Sequence, residues 1–441
     1  MIHGQLRNIK WAALWRSALS FSMLSIAAPL ALAAERTTDW PGWRGPNRDA
    51  ISTDKDLIPN WETNQPELLY QVEGLGAGYA SVSIVDDVLY TSGNKGSTQS
   101  VFAIDLKTKK IKWATPITNE VPKHGYEGSR TTPAVSDGKV YAVASNGALV
   151  CLNAADGKPL WRKDFVKEFG GKMMSSWGFS ESPLVDEERV LCTPGSNSAM
   201  IIALQKSTGK LMWKSAVPDF GESGGSGAGY SSIIVSEAGG VKQYVQLVGR
   251  GVIGVRATNG QPLWGYNRVA NPTANIPTPI ASGDYVFASS GYSEGGTALL
   301  KITKKGTKFS ADEVYYKPAN ELQNHHGGMV MLGDYVYMGH GHNNGFPVCV
   351  EWKTGKIVWG GRQRGAGSRS AAIVAADGNI IFRYESGEVA LVGATPDGYN
   401  LKGSFRPNVT NEPCWSHPVV VGGKLYLRDQ DVLMVYNLAN N

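Results

Sequence analysis

One line of alternating apolar and polar positions recurs along this chain. Its general form is apolar-x-Ala-x-Asp-x-x-Thr-Gly-Lys-x-x-Trp, and one copy reads VFAIDLKTKKIKW. The alternation predicts a strand, the Asp and the residues near the Thr-Gly pair predict a tight turn, and the stretch before the tryptophan predicts a second strand. Weaker copies end near Tyr316 and at Phe405. Clear copies end at Trp113, Trp161, Trp213, Trp264 and Trp359.

An apolar hairpin precedes each of these lines, as in PAVSDGKVYAV from Pro133 to Val143. A hairpin and the line that follows it make four antiparallel strands, and they recur about every 48 residues, a period typical of solenoids and propellers. The sequence therefore predicts an all-β, eight-bladed β-propeller of four-stranded antiparallel blades. The eight hairpins are centred near Asp87, Gly138, Glu187, Gly239, Gly283, Gly333, Gly378 and Gly423.

The two ends of the repeat are complementary. The chain ends after a third strand, VLMVYNL, with no tryptophan strand behind it, and LLYQV from Leu68 to Val72 is a fourth-type strand with none before it. We expect the N-terminal strand to close the last blade, because closure removes an open sheet edge. The five tryptophans are expected to dock blade on blade, since a large flat side chain fills the wedge between neighbouring sheets.

Composition agrees with a turn-rich β fold. Charged residues are 18% of the chain, and it contains 53 glycines and 13 tryptophans. The net charge is +5, but Arg7, Lys10 and Arg16 lie in the first 34 residues, where there is no acid. Without a basic stripe in the remainder, we expect no nucleic-acid partner.

Residues 1–34 have the pattern of a signal peptide. A basic start is followed by an apolar run from Ser17 to Leu30 and by small residues at Ala31 and Ala33. The run is too short to span a bilayer, which takes about 20 residues; a buried N-terminal helix is the alternative. We expect a periplasmic or secreted monomer with no transmembrane segment in its mature form. Because no cysteine lies at the cleavage point, we expect no lipid anchor.

The domain plan is then a signal peptide at 1–34, an extension at 35–65 and a propeller at 66–441. Trp40, Trp43 and Arg44 are expected to pack the extension against the propeller wall, with a partner-binding epitope as the alternative.

Four cysteines in an exported chain allow two disulfides. Cys151 and Cys349, however, occupy the third-strand position that is Ala103, Ala203 or Gly254 in other units. Both are therefore predicted to be free, small and buried. For Cys192 and Cys414 the sequence allows either a disulfide or a free thiol.

The repeated segments that end in tryptophan resemble the PQQ-like repeats of eight-bladed quinoprotein propellers, and the resemblance covers Pro66 to Leu438. Residues Trp40 to Ala50, WPGWRGPNRDA, resemble the lead-in of exported PQQ-repeat proteins. The family includes pyrroloquinoline-quinone alcohol dehydrogenases, which use calcium, and non-enzymatic relatives such as the BamB propeller of outer-membrane assembly. The resemblance implies a scaffold that binds a small-molecule ligand or an envelope protein, with a quinone-dependent alcohol dehydrogenase as the alternative. The dehydrogenases cover the quinone with a disulfide between adjacent cysteines, and this chain has no such pair.

Loops that leave the fourth strands are long and rich in glycine and aromatic residues, and they share one face of a propeller. Their side chains are expected to ring a central funnel that suits a planar, carboxylated ligand. The alternative is that they only cap the channel and satisfy loop backbone. The candidate residues are Tyr79, Arg130, Trp177, Glu181, Tyr230, Arg369, Trp415 and His417.

A metal site is a further hypothesis, on the sixth blade. A two-residue turn at Gly333-Asp334 would pair His325 with His342 and Gly327 with His340, and so put His325, His340 and His342 on one face. His326 would point away. Three neutral imidazoles suit zinc or copper; the alternative is that these loop histidines only form hydrogen bonds.

Overall fold

The computed structural model describes residues 39–440, and the predicted signal peptide lies outside them. Within this part of the chain the strands form eight sheets of four strands each, which confirms the predicted propeller. One short helix, α1 (Phe165–Phe169), follows the second blade. No helix in residues 39–440 has the length and the apolar character needed to cross a membrane.

The strands follow one another in regular groups of four after a single N-terminal strand. The first groups are β1 (Leu68–Val72); β2 (Ser83–Val85), β3 (Val88–Lys95), β4 (Thr98–Asp105), β5 (Lys110–Pro116); β6 (Ala134–Ser136), β7 (Lys139–Val143), β8 (Ala148–Asn153), β9 (Pro159–Asp164); β10 (Leu184–Asp186), β11 (Arg189–Cys192), β12 (Ile201–Gln205), β13 (Leu211–Ser215). The next are β14 (Ile234–Ser236), β15 (Gln243–Val248), β16 (Gly251–Arg256), β17 (Pro262–Tyr266); β18 (Ile280–Ser282), β19 (Tyr285–Ser290), β20 (Gly296–Lys305), β21 (Lys308–Pro318). The last are β22 (Asn324–Leu332), β23 (Tyr335–His340), β24 (Phe346–Glu351), β25 (Lys356–Gly360); β26 (Ala371–Ala376), β27 (Asn379–Tyr384), β28 (Val389–Gly393), β29 (Leu401–Phe405); β30 (Val419–Val421), β31 (Lys424–Asp429), β32 (Val432–Asn437).

Each blade is an antiparallel meander whose first strand lies nearest the axis. First strands of successive blades, such as β2 and β6 or β22 and β26, contact one another around the ring. Third strands such as β8 are buried along most of their length, whereas fourth strands such as β5 alternate between half-buried and exposed. The hydrophobic core therefore lies within and between the blades.

The small third-strand residue and the tryptophan of the repeat are direct partners. Ala103 pairs with Trp113, and Gly254 pairs with Trp264, where a Cβ on the glycine would clash with the indole. Any side chain at residue 254 would therefore displace Trp264. All four cysteines are free and buried, as predicted for Cys151 and Cys349.

Several of these tryptophans also contact the next blade. The indole Nε1 of Trp113 donates to the Ala154 carbonyl at 3.0 Å, and that of Trp161 donates to the Lys206 carbonyl at 3.0 Å. The turn glycine of the next repeat lies on the indole: a Cβ at Gly157 would be 2.7 Å from Trp113. Glycine is thus required there both by its φ of +72° and by the indole beneath it.

The last blade is closed by the N-terminal strand, as predicted. Strand β1 pairs antiparallel with β32, placing Leu68 opposite Tyr436 and Val72 opposite Leu433. Two buried arginines strengthen this seam. Arg383 donates to Asp429 at 2.9 Å, and Arg428 donates to Thr91 Oγ1 at 2.6 Å. The seventh, eighth and first blades are thereby joined.

Residues 40–54, which we call the axial segment, run along the inner strands. Trp40 forms a bridge with Ile84 of β2, and the Val135 amide of β6 donates to the Pro41 carbonyl at 2.7 Å. Arg44 donates to the Met329 carbonyl of β22, in the sixth blade, which lies opposite the second, and the Ala375 amide of β26 donates to the Ala50 carbonyl at 2.8 Å. Contacts with inner strands on opposite sides place the segment in the central channel, where it blocks the axis.

The closing strand generates the first prediction. Replacing Pro66–Glu73 with a Gly-Ser linker of equal length should leave β32 as an unpaired edge, because it removes the pairing with β1. We expect aggregation or a marked loss of thermal stability, measured by light scattering during a melt. A variant that stays monomeric with an unchanged melting temperature would contradict the closure.

Candidate functional site

A funnel lies on the axis at one face of the ring, with a cavity volume of 360 Å³. Two sets of loops line it: those between a fourth strand and the next blade, and those between a second and a third strand. Trp43 and Arg44 of the axial segment lie among the lining residues. Aromatic side chains and imidazoles dominate: Trp43, Tyr79, Tyr126, Trp177, Tyr230, Tyr292 and Trp415, with His325, His326, His342 and His417.

The structure brings six of the eight predicted ligand-binding candidates to this funnel. They are Tyr79, Arg130, Trp177, Tyr230, Trp415 and His417. The rings touch one another: the ring centroids of Tyr79 and Trp415 are 4.8 Å apart, and those of Trp177 and Tyr230 are 5.9 Å apart.

Glu181 and Arg369 do not line the funnel. Glu181 is 3% exposed and accepts hydrogen bonds from the amide and hydroxyl of Thr193, at 2.5 and 2.9 Å. Its side chain therefore points into the blades, and burial raises its pKa to about 8. Arg369 lines a separate groove on the rim, where it pairs with Glu385 at 3.5 Å and Glu412 at 3.3 Å.

Several lining residues were not candidates in the sequence. Tyr126 belongs to the same loop as Arg130, but Tyr292 and Glu385 lie in loops between second and third strands, as does His342, which the sequence offered only as a metal ligand. Those loops reach the same face, and their position in the repeat is the signal that would have identified them. Trp43 was expected at the propeller wall and instead packs against His417 in the funnel, with ring centroids 4.5 Å apart and ring planes tilted by 59°.

The predicted histidine register holds only near the turn. Met329 pairs with Met338 as expected, but an irregularity before Met329 places Asn324, not Gly327, opposite His340. His340 Nδ1 then accepts from the Gln323 amide at 3.1 Å, which separates His340 from the funnel.

A different histidine cluster results. His325 packs against His326 and His342, with ring centroids 4.3 and 4.2 Å apart. His326, predicted to point away, is thus part of the cluster. Within residues 39–440, no group of three or more histidine, cysteine or acidic side chains has an arrangement that could hold a metal ion. The zinc or copper hypothesis therefore gains no support from this geometry.

Burial keeps the funnel imidazoles neutral. It lowers the pKa of His326 to about 4 and, with Arg44 nearby, that of His417 to about 3. Burial also lowers the pKa of Arg130 to about 10, so this guanidinium remains charged at neutral pH. The lining carboxylate is Glu385, which Arg369 approaches to 3.5 Å.

These residues do not fit a calcium-quinone site. Calcium takes six to eight oxygen ligands, most often from several carboxylates, whereas Glu385 is the one acidic residue among those lining the funnel. The four cysteines are buried and free, and none of them lines the funnel, so no disulfide covers a bound ring there. We therefore derive no step that uses a quinone.

Comparison with known proteins places the chain among PQQ-repeat propellers. A family model described as outer membrane protein assembly factor BamB matches residues 118–361. BamB of Xanthomonas campestris pv. campestris is 33% identical over 118 residues, which is 27% of this chain and 28% of the relative. BamB of Shewanella oneidensis is 24% identical over 261 residues, which is 57% of this chain and 60% of the relative. The matches thus span less than two thirds of these relatives' own lengths.

Solved structures share the fold. BamB from Moraxella catarrhalis has a TM-score of 0.61 at 13% identity, covering 85% of this chain and 100% of that chain. Quinohemoprotein alcohol dehydrogenase from Comamonas testosteroni has a TM-score of 0.65 at 14% identity, covering 92% of this chain and 82% of that chain. At such identities the likeness concerns architecture alone.

The neutral histidines predict an acid-sensitive fold. In the unfolded chain a histidine binds a proton near pH 6.5, whereas folded His417 binds one only near pH 3. The unfolded state therefore holds more protons between these values, and stability falls as the pH drops through this window, by up to about 1.4 kcal/mol per pH unit for each such histidine.

The measurement is urea unfolding of the wild type and of His417→Gln between pH 7 and pH 4. The variant should lose less stability over this range, because it lacks one of the groups that bind a proton on unfolding. Parallel stability curves for the two proteins would contradict the assignment.

Proposed function

The chain belongs to the PQQ-repeat family described as outer membrane protein assembly factor BamB, and we propose that it is an exported binding scaffold of the cell envelope. In this proposal the funnel binds a small ligand, and the surrounding rim binds an envelope protein. The signal-peptide pattern of residues 1–34 supports export.

The closed, aromatic funnel is the observation that carries the proposal. Its cavity volume of 360 Å³ lies in the range of ordinary ligand sites, about 300 to 1,000 Å³. Because the axial segment blocks the channel below Trp43, the funnel ends in a floor. An apolar pocket with a few placed polar groups is the usual form of a small-molecule site.

The charge state of the lining favours binding over acid-base catalysis. A general base works best with a pKa near the operating pH, and burial holds the pKa of His326 near 4 and that of His417 near 3. Glu385 is engaged by Arg369. The groups best placed to move protons are therefore weak bases at neutral pH.

The rim offers an anchor for a protein partner. Tyr126 is 58% exposed at the funnel mouth, where its ring lies 4.9 Å from that of Trp415. Exposed tyrosine and tryptophan beside a pocket are typical binding hot spots. Because the relatives are named as outer membrane protein assembly factors, we propose that the partner belongs to the envelope.

Complementation in the native host tests this function. Loss of the gene should lower the amount of folded outer-membrane proteins, and the wild-type gene should restore it. Tyr126→Ala should restore it poorly because it removes the rim anchor. Val314→Ala, which shortens a side chain that is 47% exposed on the outer strand β21, is the matched control and should restore it fully.

Unchanged outer-membrane proteins in the deletion strain would overturn the envelope role. Full restoration by Tyr126→Ala would exclude this face of the funnel as the partner's anchor.

A further inference from the structure

Unpartnered polar atoms collect at the floor of the funnel. Arg44 Nη1, His417 Nδ1 and Trp415 Nε1 are buried and form no hydrogen bond within residues 39–440. All three residues line the funnel. A buried polar group without a partner is costly, so three in one cavity point to an occupant that supplies the missing bonds.

Arg44 contributes a buried positive charge. The residue is 4% exposed, and its Nε and Nη2 donate to the carbonyls of Arg48 and Asp49, at 3.2 and 3.1 Å. Nη2 also donates to the Met329 carbonyl. These partners are neutral oxygens, and the ion pairs found among the described residues do not include Arg44. The remaining nitrogen, Nη1, therefore offers a cationic donor to the cavity.

Gly328 keeps the corner beside this nitrogen open. A Cβ at Gly328 would clash with Arg44 Nη1 and would lie 3.1 Å from His417 Cε1. Any side chain would fill this corner, and the glycine's φ of +79° disfavours one as well. The space that joins Arg44 to His417 thus depends on this glycine.

His417 contributes an acceptor rather than a donor. Its Nε2 lies 3.3 Å from the His326 carbonyl oxygen, which can only accept, so Nε2 carries the proton. The ring is neutral at physiological pH because burial lowers its pKa to about 3. Nδ1 is therefore a bare lone pair that requires a donor from the occupant.

We propose that the funnel floor binds a small planar hydroxy acid, with its carboxylate at Arg44 Nη1 and its hydroxyl donating to His417 Nδ1. Trp415 Nε1 donates to a further oxygen of the ligand, and the flat body lies among Trp43 and the other aromatic side chains. This inference rests on the proposed function and specifies the ligand class for the same funnel.

The test uses three probes with the wild-type mature protein. 3-Hydroxybenzoate carries both groups, benzoate lacks the hydroxyl, and 3-hydroxybenzamide lacks the charge. Binding is measured by calorimetry and by the fluorescence of the funnel tryptophans. We expect 3-hydroxybenzoate to bind about tenfold or more tightly than either analogue. Benzoate leaves His417 Nδ1 without a donor, and the amide oxygen accepts from Arg44 Nη1 without the charge that strengthens the bond to a carboxylate.

Single-residue variants test which protein group binds the carboxylate of the ligand and which binds its hydroxyl. Arg44→Gln should remove the preference for 3-hydroxybenzoate over the amide, and His417→Phe should remove its preference over benzoate. Gly328→Ala should weaken all three probes by filling the corner. Val314→Ala, which shortens an exposed side chain on the outer strand β21, away from the funnel, is the control and should change none of these ratios.

The comparison of probes on the wild type does not depend on how well any variant folds. Equal binding of acid and amide, or no binding of 3-hydroxybenzoate at millimolar concentration, would overturn the hydroxy-acid site. Neither result bears on the envelope role, which the complementation experiment judges separately.

Discussion

Closure of the ring is the constraint on which the rest of this molecule depends. Without a strand from the N-terminal end, the last blade would have three strands and β32 would be an unpaired edge. Here β1 supplies the fourth strand of the last blade, and buried Arg383 and Arg428 join that blade to its two neighbours. The tryptophans then maintain the spacing between blades. Trp113, for example, lies between its own small third-strand partner Ala103 and Gly157, a turn glycine of the next repeat.

Closure by β1 also fixes the course of the residues that come before it. The axial segment returns to the inner strands, and its contacts with Val135 of the second blade and Met329 of the opposite sixth blade hold it across the channel. Its position converts an open channel into a funnel with a floor, and it carries Trp43 and Arg44 into that floor. The proposed binding chemistry thus depends in part on topology: Arg44 comes from the segment that the closed ring encloses, whereas Trp415 and His417 come from the loop before β30.

The fold was predictable because its signals are periodic. Hairpins near Gly138 and Gly333, the tryptophan lines and the pairing of the two chain ends each follow from local alternation and turn chemistry. The site was predictable only in part. Tyr79 and Trp415 line the funnel as expected, because the loops that follow the fourth strands all lie on one face of the ring. Glu181 does not line the funnel, because its carboxylate accepts hydrogen bonds from Thr193 within the blades. The sequence does not show this side-chain orientation.

Two other differences between the prediction and the structure also arise from features that local sequence patterns do not contain. The histidine register failed because the pairing becomes irregular between Asn324 and Met329, a break that an extrapolated hairpin does not contain. The axial segment could not be placed because it belongs to no repeat, and its partners, such as Ala375, are far away along the chain.

Hydrogen exchange of the axial segment tests the central claim that this segment closes the funnel from within. Its amides at Trp40 and Ser52 donate to inner-strand carbonyls, at 2.7 and 2.8 Å, so a peptide covering residues 40–54 should exchange about as slowly as the inner strands β2 and β26. Exchange of this peptide at the rate of an unfolded chain, while those strands remain protected, would contradict the account.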